Sequence, residues 1–142
     1  MNDASRRLLS EWGPLVSRAC LALVFMASGF FKLAYPTETV DAVASRGIPA
    51  SHALALAVGC FELGLGLLLL VGFRARWCAG VLLVFLVPVT FLFHNPAGLA
   101  AVDAQLQATM IMKNMAIAGG LVGILVHGAG PLSLDSARKS PS

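Results

Sequence analysis

Lys32, Glu62, His94 and Lys113 lie within or at the ends of four long apolar runs. An ionisable side chain at the centre of a hydrocarbon layer costs roughly 2.5–3.5 kcal/mol on insertion scales unless it is paired or lines a polar cavity. Four such groups in one short chain point to joint use. A carboxylate among lysines can hold them in an ion pair or accept a proton, its pKa set by burial against pairing. The lysines and the histidine can donate hydrogen bonds to a carbonyl oxygen or hold an anionic group. Ser28 stands one helical turn from Lys32, Thr90 repeats that spacing with His94, and Asn114 adjoins Lys113. Residues at i and i+4 share a helix face, so Ser28, Thr90 and Asn114 are placed to orient the charged groups.

Composition decides what must carry them. Hydrophobic residues make up 58% of the 142 and charged ones 12%, with a mean hydropathy of +0.83. A soluble domain carries about 25% charged residues, so this is an integral membrane protein with room for one bundle and no separate soluble domain. The net charge of +3 comes from scattered residues that form no basic stripe, which argues against nucleic acid. Cys20, Cys60 and Cys78 are far apart. They read as small apolar residues packed in helices, with neither a disulfide framework nor a metal site. Arg6 and Arg7 precede an apolar run that is too long for a signal peptide and lacks a small-residue cleavage site, so the run is expected to be a retained first span.

Apolar stretches cover roughly 15–35, 52–73, 77–94 and 108–127, each near the ~20 residues that cross a bilayer core. The expected fold is all-α: a four-helix membrane bundle over 15–127, with tails at 1–14 and 128–142. The Arg74-Ala75-Arg76 turn makes spans two and three a hairpin, and Asn95-Pro96 stops span three. In the first loop Thr37 is a candidate cap. Val40, Val43 and Ala44 form an apolar stripe, and Gly47-Ile48-Pro49 ends the run. A short amphipathic helix is predicted there. Arg6, Arg7, Arg18, Arg74, Arg76, Arg138 and Lys139 fall on one side, against Arg46 with Lys32 and Lys113 near the other. Both termini are therefore expected in the cytoplasm. Gly59, Gly66, Gly119 and Gly123 are small residues expected to let helices approach closely inside the bundle. Pro88 removes a backbone bond to Val84 and should kink span three.

In this topology the polar groups converge. Helical side chains lean toward their own N-terminus, so Lys32 and His94 lean inward and Glu62 leans outward. Glu62 lies about 15 Å into span two, and Lys113 about 9 Å below the expected start of span four, at ~1.5 Å per residue. Glu62 is expected to pair with Lys113 or Lys32 in an outward-facing polar pocket. Plainer roles exist for each member. Lys32 can snorkel, His94 can be a helix-end residue, Asn114 can bind helices together and His127 can sit at the interface. Glu62 reaches no interface, and its plain role is a structural ion pair.

At these residues the chain resembles the DoxX family of small bacterial and archaeal membrane proteins. The matching stretches are Ser28-Gly29-Phe30-Phe31-Lys32-Leu33, Gly47-Ile48-Pro49, and Glu62-Leu63-Gly64 with Leu67-Leu68-Leu69-Leu70. Phe93-His94, Met112-Lys113-Asn114-Met115-Ala116 and Gly119-Gly120-Leu121 follow in order. The resemblance implies a four-helix bundle in a plasma (inner) membrane. It also implies kinship with the DoxX subunit of thiosulfate:quinone oxidoreductase, some relatives of which are linked to membrane redox or thiol-stress complexes.

The chain carries no C-x-x-C-H, no G-x-G-x-x-G and no cysteine cluster, so no cofactor of its own is expected and electrons would come from a partner or a diffusible substrate. The reading is a subunit of a membrane redox complex whose pocket binds a quinone or similar lipophile. Glu62 and Lys113 would act in catalysis, and Ser28, Lys32, Thr90, His94 and Asn114 in binding. Expected partners are the lipid bilayer, a redox subunit and a second copy of the chain. A non-catalytic anchor or scaffold is the alternative. A small-molecule transporter ranks third, because repeated halves with broken helices are lacking.

Overall fold

The computed structural model describes residues 2–94, 96 and 100–138. Among them lie six helices and no strand: α1 (Asp3–Ala34), α2 (Pro36–Ala44), α3 (His52–Val71), α4 (Ala75–Phe93), α5 (Ala101–His127) and α6 (Leu134–Ala137). The helices α1, α3, α4 and α5 are long and apolar enough to cross a membrane. With no water in the hydrocarbon layer, a spanning segment must satisfy its backbone internally, which a helix does. Asn95 of the expected helix stop and Lys139 of the charge count lie outside the described residues.

Two helices begin well before their apolar runs. α1 begins at Asp3, where the Asn2 side chain accepts the Ser5 N–H at 2.9 Å. α5 begins at Ala101, with Asp103 in its first turn. A helix propagates cheaply once nucleated, and an acid near its N-terminus is favoured by the dipole, so polar residues extend both helices beyond their apolar windows. α4 runs through Pro88 as one element. The predicted amphipathic helix is α2, but Pro36 opens it and Tyr35 occupies the cap position without a side-chain bond. Thr37 is therefore not the cap; its hydroxyl stands 3.3 Å from His52 Nε2. Gly47, at φ 71°, ends the turn after α2 in a left-handed conformation suited to glycine.

The bundle consists of two pairs, α1 on α3 and α4 on α5, which meet more sparsely through α3–α4 and α1–α5. Leu21, Phe25, Leu69, Leu82 and Leu121 form the core between them. The tight approach lies in the first pair. A Cβ on Gly29 would stand 2.6 Å from the Leu63 backbone nitrogen and 2.7 Å from the Gly59 carbonyl oxygen. Gly59 and Gly66 make close contacts of their own to α1. Gly119 and Gly123, expected to do the same, do not: among the described residues no atom of another helix lies within 4 Å of a Cβ at either position. Gly120 faces α1 instead, against Leu21. Of the cysteines, Cys78 is buried as expected, whereas Cys20 and Cys60 are exposed on the bundle surface.

The end that carries both termini is closed by its own backbone. α3 stops at Gly72, φ 70°, with Phe73 N–H bonded back to the Leu68 carbonyl at 2.9 Å. The segment after α5 folds across this end, and Asp135 caps α4 from outside it. Its two carboxylate oxygens accept the Arg74 and Ala75 N–H groups at 2.7 and 2.8 Å. Arg18, only 1% exposed, donates to the carbonyls of Leu70 at 3.1 Å, Leu132 at 2.7 Å and Ala129.

Candidate functional site

At the opposite end, around α2, residues of all four spans line a cavity of about 670 Å³. Its floor is Phe25, Phe85, Leu86 and Ile117; its cover is α2, through Glu38, Thr39, Val40 and Val43. Ser28, Lys32, Glu62, His94, Lys113 and Asn114 all lie in its wall. Six of the seven expected site residues therefore share one cavity. Thr90 stands behind the wall, buried, and supports Asn114.

The wall on α1 and α3 is charged. The Gly29 contact brings the backbones together beside Ser28 and Glu62, which places Lys32 Nζ 2.8 Å from Glu62 Oε2. Lys32 also donates to Ser28 Oγ at 2.6 Å. Of the two lysines proposed as partners for Glu62, the structure selects Lys32. The side chain of Glu62 is 5% exposed and that of Lys32 24%, so the carboxylate lies deep and the ammonium reaches toward the mouth. A buried ion pair whose partners are hydrogen-bonded can persist in a low-dielectric wall, where a lone charge would not.

The wall on α4 and α5 holds no ion pair among the described residues. Asn114 Nδ2 donates to Thr90 Oγ1 at 2.9 Å, and that hydroxyl donates to the Leu86 carbonyl at 2.7 Å, one turn back. Lys113 is exposed, and among the described residues no carboxylate lies within ion-pair distance of it. The expected Glu62–Lys113 pair is not formed. His94 caps α4 and its Nδ1 lies 2.9 Å from Gln107 Oε1. Among the described residues there is no group of three His, Cys, Asp or Glu that could hold a metal ion.

Two fastenings hold the cover. Arg46 donates to the Phe93 carbonyl at 2.9 Å and sits 5.8 Å from the centre of the Phe93 ring. The Thr37–His52 contact ties α2 to the start of α3. α2 buries none of its residues fully, so the fastenings and the half-buried Val40 and Val43 are what hold it over the cavity.

Four contributors went unread in the sequence. Gln107 lies just outside the apolar stretch 108–127, although Asp103, Leu106 and Gln107 continue the helical spacing of α5 backward. Tyr35 and Glu38 enter the lining because α2 folds back, which depends on the angle at Tyr35 that no local pattern encodes. Arg18 was counted among the cytoplasmic charges; its place inside the run opened by Leu15 was the available signal of burial.

The DoxX family model matches residues 13–95. Inner membrane protein YqjF of Escherichia coli K12 is 30% identical over 127 residues, covering 89% of this chain and 92% of that one. Inner membrane protein YphA of the same organism is 26% identical over 121 residues, covering 85% and 86%. No solved structure matches the chain.

Proposed function

The chain belongs to the DoxX family, and we propose that it is an inner-membrane subunit of a redox complex that holds a quinone or similar lipophile in the cavity under α2. The observation that carries this reading is a buried ion pair, Lys32–Glu62, set in the wall of a cavity of about 670 Å³. Ion pairs that serve only to fix helix register need no room beside them. An intramembrane charge lining a cavity is a site by default, and an apolar chamber with a few convergent polar groups is the usual form of a small-molecule site. The likeness to YqjF and YphA, both inner membrane proteins, supports the same membrane for this chain. The excess of arginine at the end with both termini supports cytoplasmic termini and a cavity on the outer side.

In this role Lys32 and Lys113 offer hydrogen bonds from facing walls, Glu62 holds Lys32 or takes a proton, and Asn114, steadied by Thr90, fixes the ligand's orientation. His94 stands at the mouth. The chemistry of electron transfer belongs to a partner subunit or to the lipophile itself.

The test is native mass spectrometry with lipid extraction on gently solubilised protein, wild type beside Glu62→Gln. A lipophile retained by the wild type and lost from a folded variant is the expected result. An empty wild type, with a variant that only unfolds more readily, would replace this reading with that of an anchor.

A further inference from the structure

Glu62 has an oxygen to spare. As a carboxylate it accepts from Lys32 through Oε2 only; among the described residues no donor reaches Oε1. Every fully buried side-chain nitrogen or oxygen among them has a partner, so Oε1 is not fully buried, and Glu62 lines the cavity. Lys32 is incomplete in the matching sense. An ammonium carries three N–H donors, of which Ser28 Oγ and Glu62 Oε2 take two. A charged acceptor and a charged donor, held together by their own ion pair, therefore face the cavity side by side.

Building on the cavity reading above, we infer that the head group taken there is a hydroxyl on a lipophilic body, such as a phenol or a hydroquinone. It donates to Glu62 Oε1 and accepts from the remaining N–H of Lys32. A hydroxyl is one donor and an acceptor on a single atom, which is what this pair lacks. A ketone or quinone oxygen satisfies Lys32 alone and sets its lone pairs against those of Oε1. A carboxylate head does the same with a full charge. The site thus prefers the hydroquinone to its own quinone, and an alkylphenol to its methyl ether. Glu38, on the first turn of α2 at the cavity cover, and Lys113, on the facing wall, also line the cavity, and neither forms an ion pair with Lys32 or Glu62 among the described residues.

The test uses the full chain in nanodiscs and three probes of matched alkyl length: a 4-alkylphenol, its methyl ether and the corresponding 4-alkyl ketone. Dissociation constants are referred to probe concentration in the lipid, so that partitioning cancels. The phenol is expected to bind the wild type at least about tenfold more tightly than either analogue, the scale of one hydrogen bond to a charged acceptor. In Glu62→Gln, whose amide is a weaker acceptor, the ratio should fall to about threefold or less. Ether and phenol binding equally would overturn the hydroxyl inference and leave the cavity reading standing. A ratio unchanged in folded Glu62→Gln would overturn it too. Absence of binding by all three would remove the cavity reading itself. The wild-type comparison decides the matter even where the variant does not fold.

Discussion

α1 carries two cations inside the bundle, Arg18 and Lys32, and the fold treats them in opposite ways. Arg18 is sealed. Its guanidinium is met by the carbonyls of Leu70, Ala129 and Leu132, and the folded segment after α5 leaves it 1% exposed. Lys32 has two partners at 2.6 and 2.8 Å, yet faces a chamber of about 670 Å³. Both solve the problem of a charge in an apolar setting. A closed solution gives each donor nitrogen a partner and covers the group with chain, and yields structure. An open one leaves donor and acceptor capacity facing empty space, and yields a site. Burial alone does not separate the two, since Glu62 is nearly as buried as Arg18. What separates them is whether the group lines a chamber, as Lys32 and Glu62 do.

The comparison is most easily broken at Arg18. Replacing it with methionine keeps the length of the stem but strips donors from three carbonyls, each costing about 1–3 kcal/mol if left buried and unmet. Arg18→Met should lower stability by about 3 kcal/mol or more, the largest effect expected of any change discussed here. Thermal unfolding in detergent measures it. Labelling of a cysteine placed at Ser133 should accelerate in the same variant, since the segment loses its anchor. An unchanged midpoint would mean that water serves those carbonyls, and that the sealed end is not what holds α1 to the rest.

Next is the helix contact that creates the open pair. Gly29→Ala places a Cβ against the backbone of Leu63 and Gly59, at 2.6 and 2.7 Å, so α1 and α3 must separate. Overpacking of this kind costs about 1–3 kcal/mol, and the separation should also weaken ligand retention at Lys32 and Glu62. Gly119→Ala, with nothing within 4 Å, is the control and should lose neither stability nor ligand. Equal losses in both variants would show that the close approach does not build the site.

How far the sequence could be read follows the same division. The four spans, α2 and the convergence of Ser28, Lys32, Glu62, His94, Lys113 and Asn114 were legible, because hydrocarbon length, helical spacing and side-chain lean are local quantities. Which lysine Glu62 meets was not. That depends on how closely two backbones pack, and glycines at helical spacing do not say which of them face a neighbour: Gly29 does and Gly119 does not. Arg18 and Asp135 escaped for a related reason. Their partners are main-chain groups at the ends of other helices, and a backbone carbonyl looks the same in every sequence. The early start of α5, which brings Gln107 to His94, was hidden because the helix outruns its apolar stripe.

A smaller effect probes the sealed end from its other side. Asp135→Ala removes the acceptor from the Arg74 and Ala75 N–H groups at the start of α4. Loss of a helix cap costs about 0.5–2 kcal/mol, and that loss should appear in the unfolding midpoint without any change in what the cavity retains. Loss of ligand from this variant would mean that the two ends are coupled through α4, and the contrast between them would need to be redrawn.

Lys113 sharpens the contrast with the smallest expected change in stability. It is exposed, it lines the cavity, and no carboxylate among the described residues pairs with it. No ion pair among the described residues depends on its charge, so Lys113→Gln should stay within about 0.5 kcal/mol of the wild type, as surface substitutions do. Lys113 lines the cavity from the wall opposite Lys32, so the same change should weaken binding of a hydroquinone, whose second hydroxyl can meet it, several-fold while leaving the phenol-to-ether ratio set by Glu62. Stability and affinity measured on one preparation give the decision. A fall in both would place Lys113 with Arg18, as a residue the fold requires. A fall in neither would take it out of the site and leave the α1–α3 wall to hold the ligand alone. Lost affinity at full stability is the signature of an open group, and Arg18→Met, which should lose stability first, cannot give it.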